Sequence, residues 1–206
     1  MATDPADLTR RERRKLEVRS RILDAAVGLF DQAGFHATRV SEICERADVA
    51  HKTFFNHFPS KQDLFRELAR EALGQLLQHI EEVRKEHQTL AARLQTFFDR
   101  VADAAESGGA MHRELVTELV HAVHASSAKS DHARQLHDAF GAIVSDGLAA
   151  DQVTRRHDAE TLTEMILGAY YVLMFNYANL DDFPIRKQAR AVARFLADAL
   201  VPPPEE

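Results

Sequence analysis

The sequence holds one cysteine, Cys44, in 206 residues, so no internal disulfide can form and no cysteine-based zinc finger can assemble. Glycine and proline are sparse, at 8 and 6, and the 45% hydrophobic, 28% charged composition is that of a globular chain rather than a disordered or collagenous one. No apolar run approaches the roughly 20 residues that a membrane helix needs. The start is polar and acidic, then basic, and lacks the apolar core of a signal peptide. A protein of a reducing cytoplasm is expected. Also missing are a Gly-rich phosphate loop, a Ser/His/Asp arrangement and a paired-carboxylate motif. Catalysis therefore has no support in the sequence, and neither a cofactor nor a metal is expected.

Positive charge is short overall, since the formal net charge is −6. That average argues against general nucleic-acid affinity but hides an asymmetry. Residues 1–62 carry 11 Lys+Arg against 9 Asp+Glu, a net +2, whereas the remainder carries 15 against 23, a net −8. Arg10, Arg11, Arg13, Arg14, Lys15 and Arg19 fall within one short stretch. A basic beginning on an acidic body is a reason to look for a nucleic-acid partner.

What is present, nearly everywhere, is a 3.6-residue apolar period, and nothing alternates as a strand does. Leu16, Ile22, Leu23, Ala26, Leu29 and Phe30 draw one stripe on a first helix that Gly34 stops. Thr38 is placed to cap a second helix bearing Val40, Ile43 and Cys44. Asp48-Val49 then makes a turn into a compact piece ending at His57. Pro59 blocks its continuation, and Ser60 with Asp63 forms a capping pattern for a long fourth helix. Five further helices start near Leu90, Met111, His132, Asp158 and Pro184. The expected fold is all-α, with about nine helices. It divides into residues 1–62, a basic extension plus helix-turn-helix, and residues 63–206, a larger helical body.

Two short helices joined by a tight turn are the ingredients of a helix-turn-helix, whose second helix enters the major groove. The stretch Phe30…Ala33-Gly34-Phe35, Thr38-Arg39-Val40-Ser41-Glu42-Ile43 and Ala47-Asp48-Val49-Ala50-His51-Lys52-Thr53-Phe54-Phe55-Asn56-His57-Phe58-Pro59-Ser60-Lys61-Gln62-Asp63-Leu64 resembles the DNA-binding domain of TetR-type repressors. The Thr-plus-aromatic reading helix followed by Phe-x-Ser-Lys-x-x-Leu carries most of that specificity. The resemblance covers roughly residues 15–66. Beyond it, only length and helix count are similar.

The residue chemistry points the same way. Thr38 and Lys61 are placed to meet phosphate. Ser41, His51, Lys52 and Asn56 sit on or beside the reading helix, with Lys52 suited to guanine and Asn56 to adenine. Thr53 and His57 suit phosphates, while Val49, Phe54 and Phe58 suit the small core. Two positions depart from the family pattern. Asp48 replaces the usual turn Gly, a change that the left-handed tolerance of Asp accommodates. Phe55 stands where Tyr is common and so lacks a hydroxyl for phosphate. Arg10–Lys15 either extends the first helix or forms an arm into the minor groove.

The resemblance implies a homodimer on a pseudo-palindromic operator, released by a small molecule. On the last two helices, Leu162, Ile166, Ala169, Leu173 and Tyr177 make one apolar row and Val192, Phe195 and Leu196 a second, the candidate dimer interface. Phe97, Phe98, Val101, Met111, Leu115, Leu119, Phe140, Met165 and Tyr170 are candidates for a pocket among helices five to eight. A pocket so lined takes a hydrophobic or aromatic ligand. The competing readings are a DNA-binding or partner-recruiting protein without an effector, and a helical metal enzyme using Glu118, His121, His124, His132 and His137.

Overall fold

A computed structural model describes residues 9–86, 89–125 and 131–201, with residues 118–125 described as backbone only. Among the described residues there are nine α-helices and no strand. They are α1 (Arg10–Ala33), α2 (Val40–Arg46), α3 (His51–His57), α4 (Lys61–Glu86), α5 (Leu90–Ser107), α6 (Ala110–Ala125), α7 (Asp131–Ala149), α8 (Ala159–Asn179) and α9 (Ile185–Leu200). The chain separates into two compact units, Met1–Leu68 and Ala69–Glu206. The division falls inside α4 rather than after residue 62, because Leu64, Phe65 and Leu68 are core residues of the first unit.

In the first unit, α1 presents Ile22, Ala25, Ala26 and Phe30 inward, all buried. Phe30 meets Phe35 and Phe65 with ring centroids 5.3 and 6.0 Å apart, and Phe35 lies 4.6 Å from Phe65. Gly34 ends α1 at φ 81°, a region glycine enters freely, and its N–H donates to the Phe30 carbonyl at 2.8 Å. Leu16 does not join the stripe expected of it and is 51% exposed, since α1 runs past the core there. The basic stretch is helix and not an arm. Thr9 starts it through a capping box, its N–H donating to Glu12 Oε2 at 2.8 Å and the Glu12 N–H donating back to Thr9 Oγ1 at 3.3 Å. Those Thr9 hydrogen bonds hold the Glu12 carboxyl below its ordinary pKa.

In the second unit, α5 lies along α9, while α8 packs on α6, α7 and α9 around an apolar core. Ion pairs tie the layers together. Arg84 of α4 grips Asp146 of α7 through Nε at 2.5 Å and Nη2 at 3.1 Å. Arg186 of α9 binds Asp103 and Glu106 of α5. Asp158 caps α8, its Oδ1 accepting from the Thr161 N–H at 2.7 Å.

Three tight bends turn on aspartate: Asp48, Asp151 and Asp182 have φ of 51°, 54° and 52°. Asp tolerates this left-handed region better than most side chains do. A β-branched residue does not, at about 1–2 kcal/mol per residue. Asp48→Val is therefore expected to lose about that much stability in urea unfolding, and Asp48→Gly to lose little or none.

Candidate nucleic-acid interface

Helices α2 and α3 have seven residues each, too few to be stable alone. Their inward side chains hold them: Ile43 and Cys44 from α2, Ala47 just after it, Phe54 from α3, and Phe58 just beyond. In the turn, the Val49 N–H donates to the Cys44 carbonyl at 3.0 Å, closing α2 before α3 begins. Val49 itself is half-buried. With Phe54 and Phe58 committed inward, α3 shows solvent His51, Lys52, Phe55 and Asn56. Thr53 and His57 are half-buried at its edges, and Ser41 is exposed on α2. The structure thus brings seven of the expected contact residues into one small region, presented by a pair of packed helices.

The other two are committed elsewhere. Thr38 does not cap α2; that position belongs to Arg39, whose N–H donates to Glu42 Oε2 at 2.6 Å. Thr38 is 2% exposed, and its hydroxyl donates to the Gly34 carbonyl at 2.8 Å and to that of Leu29 at 3.4 Å. Its side chain is a fastener of the α1–α2 loop and is not presented to phosphate. Lys61 is turned to the same loop. Its Nζ donates to the carbonyls of Phe35 at 2.6 Å and Thr38 at 2.7 Å, with that of His36 at 3.4 Å, and lies 4.3 Å from the Phe35 ring centre. Ser60 opens α4 as its pattern implies, Oγ accepting from the Asp63 N–H at 3.1 Å.

Sequence reasoning passed over Arg39, exposed at the start of α2, and the links between α1 and the end of α3. Arg19 donates to the His57 carbonyl at 3.3 Å, sits 4.4 Å above the Phe58 ring and pairs with Glu67 at 2.9 Å. Arg19 and Lys15 are one helical turn apart, the only signal that they share a face. Burial, then the charges of Lys15 and Arg19, hold the His57 pKa below its ordinary value.

The second unit contains a cavity of about 130 Å³. Phe97, Val101, Leu115 and Tyr170 line it as expected. Phe98 and Phe140 are instead plain core, Met111 is off the wall, and Met165 is 56% exposed on α8. The Leu119 side chain lies outside the described residues. The wall missed from sequence is α4, through Ala72, Gln75, Leu76 and His79, together with Arg100, His112, Val116 and Met174. The α4 residues follow i, i+3, i+4, i+7 spacing, which could have flagged a shared face.

The expected interface rows are also displaced. Leu162, Ile166, Leu173, Tyr177 and Leu196 are buried within their own unit. Of the expected rows Phe195 is exposed and Ala169 and Val192 are half-buried, and Met165, Val172 and Phe175 of α8 are exposed as well. Glu118, His121 and His124 of the candidate metal set fall where side chains are not described. His137 stands 3.5 Å from Glu164 and 3.7 Å from Asp138, and among the described residues no group of three His, Cys, Asp or Glu could hold a metal. Among them, too, no helix is long and apolar enough to cross a membrane.

The model of the family described as bacterial regulatory proteins, tetR family, matches residues 22–68, which span α2, the turn, α3 and their supports. Over those residues the chain is similar to the TetR family. It is 37% identical over 73 residues to the fatty acid metabolism regulator protein of Bacillus subtilis, covering 35% of this chain and 38% of that one. It is 27% identical over 178 residues to the transcriptional repressor KstR of Mycolicibacterium smegmatis, covering 84% and 81%. The chain thus spans well under half of the first relative and most of the second. Among solved structures, a TetR-family regulator from Pectobacterium atrosepticum superimposes with a TM-score of 0.74 at 17% identity, covering 95% of this chain and all of that one. FadR of Bacillus subtilis, solved with stearoyl-CoA, gives 0.61 at 21%, covering 86% and 97%. At such identities the likeness is one of fold, and it extends to the body that the family model leaves unmatched.

Two outcomes follow for this chain. Removing the three-carbonyl clamp by Lys61→Ala costs about 2 kcal/mol in denaturant unfolding, the scale of hydrogen bonds to a charged group. His57, with its folded pKa depressed, contributes stability that is present above its unfolded value near 6.5 and is lost as pH falls through the folded value. In His57→Gln that part of the acid-side loss disappears when unfolding is followed between pH 7.5 and 5.

Proposed function

We propose that the protein is a dimeric transcriptional repressor that reads a pseudo-palindromic operator through α3 and leaves it on binding a small apolar effector. The observation that carries this is the outer face of α3. His51, Lys52, Phe55 and Asn56 stand in solvent together on a helix whose other face is fully used by the core. Lys52 suits guanine edges, Asn56 suits adenine, and Phe55 suits a thymine methyl. Ser41, Thr53 and His57 meet flanking phosphates, as do Arg39 and the basic turns of α1. Thr38 and Lys61 serve as scaffold, holding the loop that aims α2.

Dimerisation is supported by α8, which is apolar on both sides. One side forms the core of its own unit, and the other leaves Met165, Val172 and Phe175 exposed. A helix that is apolar nearly all round is normally covered. Gly168, with open space above it, and Ala169 let a second helix approach closely. Two half-sites need two heads at a fixed separation, so a two-fold pair is what this reading requires.

The cavity supports an effector over the effector-free alternative. Its volume lies below the roughly 300–1,000 Å³ of drug-sized clefts and near the roughly 150 Å³ that holds benzene in an engineered core. A small hydrophobic or aromatic molecule fits better than a large one. α4 lends four residues to this wall and its first turn to the reading head, so a ligand preferring one setting of α4 changes operator affinity. The relatives are transcriptional regulators, and no catalytic role is proposed.

Operator binding measured by fluorescence anisotropy tests the reading. Lys52→Ala and Asn56→Ala should each lose about 1–3 kcal/mol against the operator and little against unrelated DNA, and wild-type affinity should fall steeply with salt. Equal losses on both DNAs would remove α3 from the reading role. Phe195→Glu should shift the dimer toward monomer in sedimentation and weaken operator binding without unfolding the chain.

A further inference from the structure

The cavity wall is largely apolar, with Gln75, His79, Arg100 and His112 among its polar members. Phe97, Tyr170 and Met174 are buried, whereas Gln75 and His79 are exposed and Arg100 is half-buried. No carboxylate lines it, so a cationic ligand has no counter-charge on the wall. Arg100 also reaches α4, its Nη2 donating to Glu86 Oε2 at 2.6 Å and its Nη1 to Glu82 Oε2 at 3.4 Å. One arginine thus lines the cavity and, through its guanidinium, ties α5 to the end of the cavity-lining helix.

Resting on the effector reading above, we propose that the ligand is a small apolar carboxylate whose charged end takes Arg100 from Glu82 and Glu86. The exchange is favourable on physical grounds. The glutamate side chains are 42% and 47% exposed, and ion pairs at that exposure contribute little because water screens them and solvates the released carboxylates well. A carboxylate seated against Phe97 and Tyr170 meets the same guanidinium with less water around it, where charge pairing is stronger. It can also accept two parallel N–H bonds from the planar fork. A neutral alcohol cannot displace two carboxylates from an arginine, and an ammonium is repelled by it. The apolar end fills the buried part of the cavity. Once Arg100 has turned to the ligand, α4 loses this ion-paired tie to α5 while its core contacts and the Arg84–Asp146 pair remain, so occupancy biases the setting of the helix whose first turn belongs to the reading head. Arg100 is accordingly the residue that sets ligand class, and Glu86 is an internal competitor for it.

The test is a ligand-observed NMR titration of the full chain with hexanoate, hexan-1-ol and hexylamine, three probes that differ only at the polar end. Hexanoate is expected to bind at least tenfold more tightly than hexan-1-ol, and hexylamine not to bind. Arg100→Gln should erase the preference while keeping hexan-1-ol binding, which shows that the variant retains the cavity. Glu86→Gln, at an exposed position, should strengthen hexanoate binding several-fold and leave hexan-1-ol unchanged. Hexan-1-ol or hexylamine binding as well as hexanoate would overturn the carboxylate proposal and leave the effector reading standing. So would a preference that survives Arg100→Gln, or Glu86→Gln that weakens or does not change hexanoate binding. Failure of all three probes to bind would overturn the effector role of the cavity itself.

Discussion

A seven-residue helix has no stability of its own in water, and everything about the reading head follows from that constraint. α2 and α3 exist because Ile43, Cys44, Phe54 and Phe58 are pressed into an aromatic core, and because the chain between and around them is pinned at its polar points. Asp48 takes the left-handed step between the helices. Thr38 and Lys61 fix the loop that leads into α2, with the Lys61 ammonium laid across the backbone carbonyls of Phe35 and Thr38. The result is a rigid helix with one face wholly consumed by packing, so the opposite face is free for recognition. Under the proposed function, stability and recognition are divided between the two sides of the same helix.

The division explains what could be read from sequence. Helix number, order and bounds follow from the 3.6-residue period with Gly34, Asp48, Ser60 and Asp158 as punctuation, and the structure matches them to within a few residues. The solvent-facing residues of α3 were legible because Phe54 and Phe58 fix the helix phase. Thr38 and Lys61 were not, since a hydroxyl or an ammonium beside a basic motif reads the same whether it meets phosphate or a carbonyl twenty-odd residues away. Only the folded loop brings the carbonyls of Phe35 and Thr38 under Lys61.

The body shows the same limit in another form. α8 is apolar on two sides, and periodicity cannot say which side belongs to its own core. The row through Leu162, Ile166 and Leu173 proved to be internal, leaving Met165, Val172 and Phe175 outside. The cavity was placed among the later helices because their aromatics are conspicuous, yet α4 contributes much of the wall, and Arg100 on that wall meets glutamates up to 18 residues earlier. The net charge of −6 was equally uninformative as an average, since the exposed basic turns of α1 lie on the unit that carries α3 and the acidic excess lies on the other.

The central claim is that two copies of one α3 face read one symmetric site. Selection of bound duplexes from a random library by the purified full chain tests it most directly. The account predicts enrichment of an inverted repeat with half-sites about one helical turn apart, or a multiple of it. Recovery of a single unrepeated site, or no enrichment over the starting pool, would contradict it.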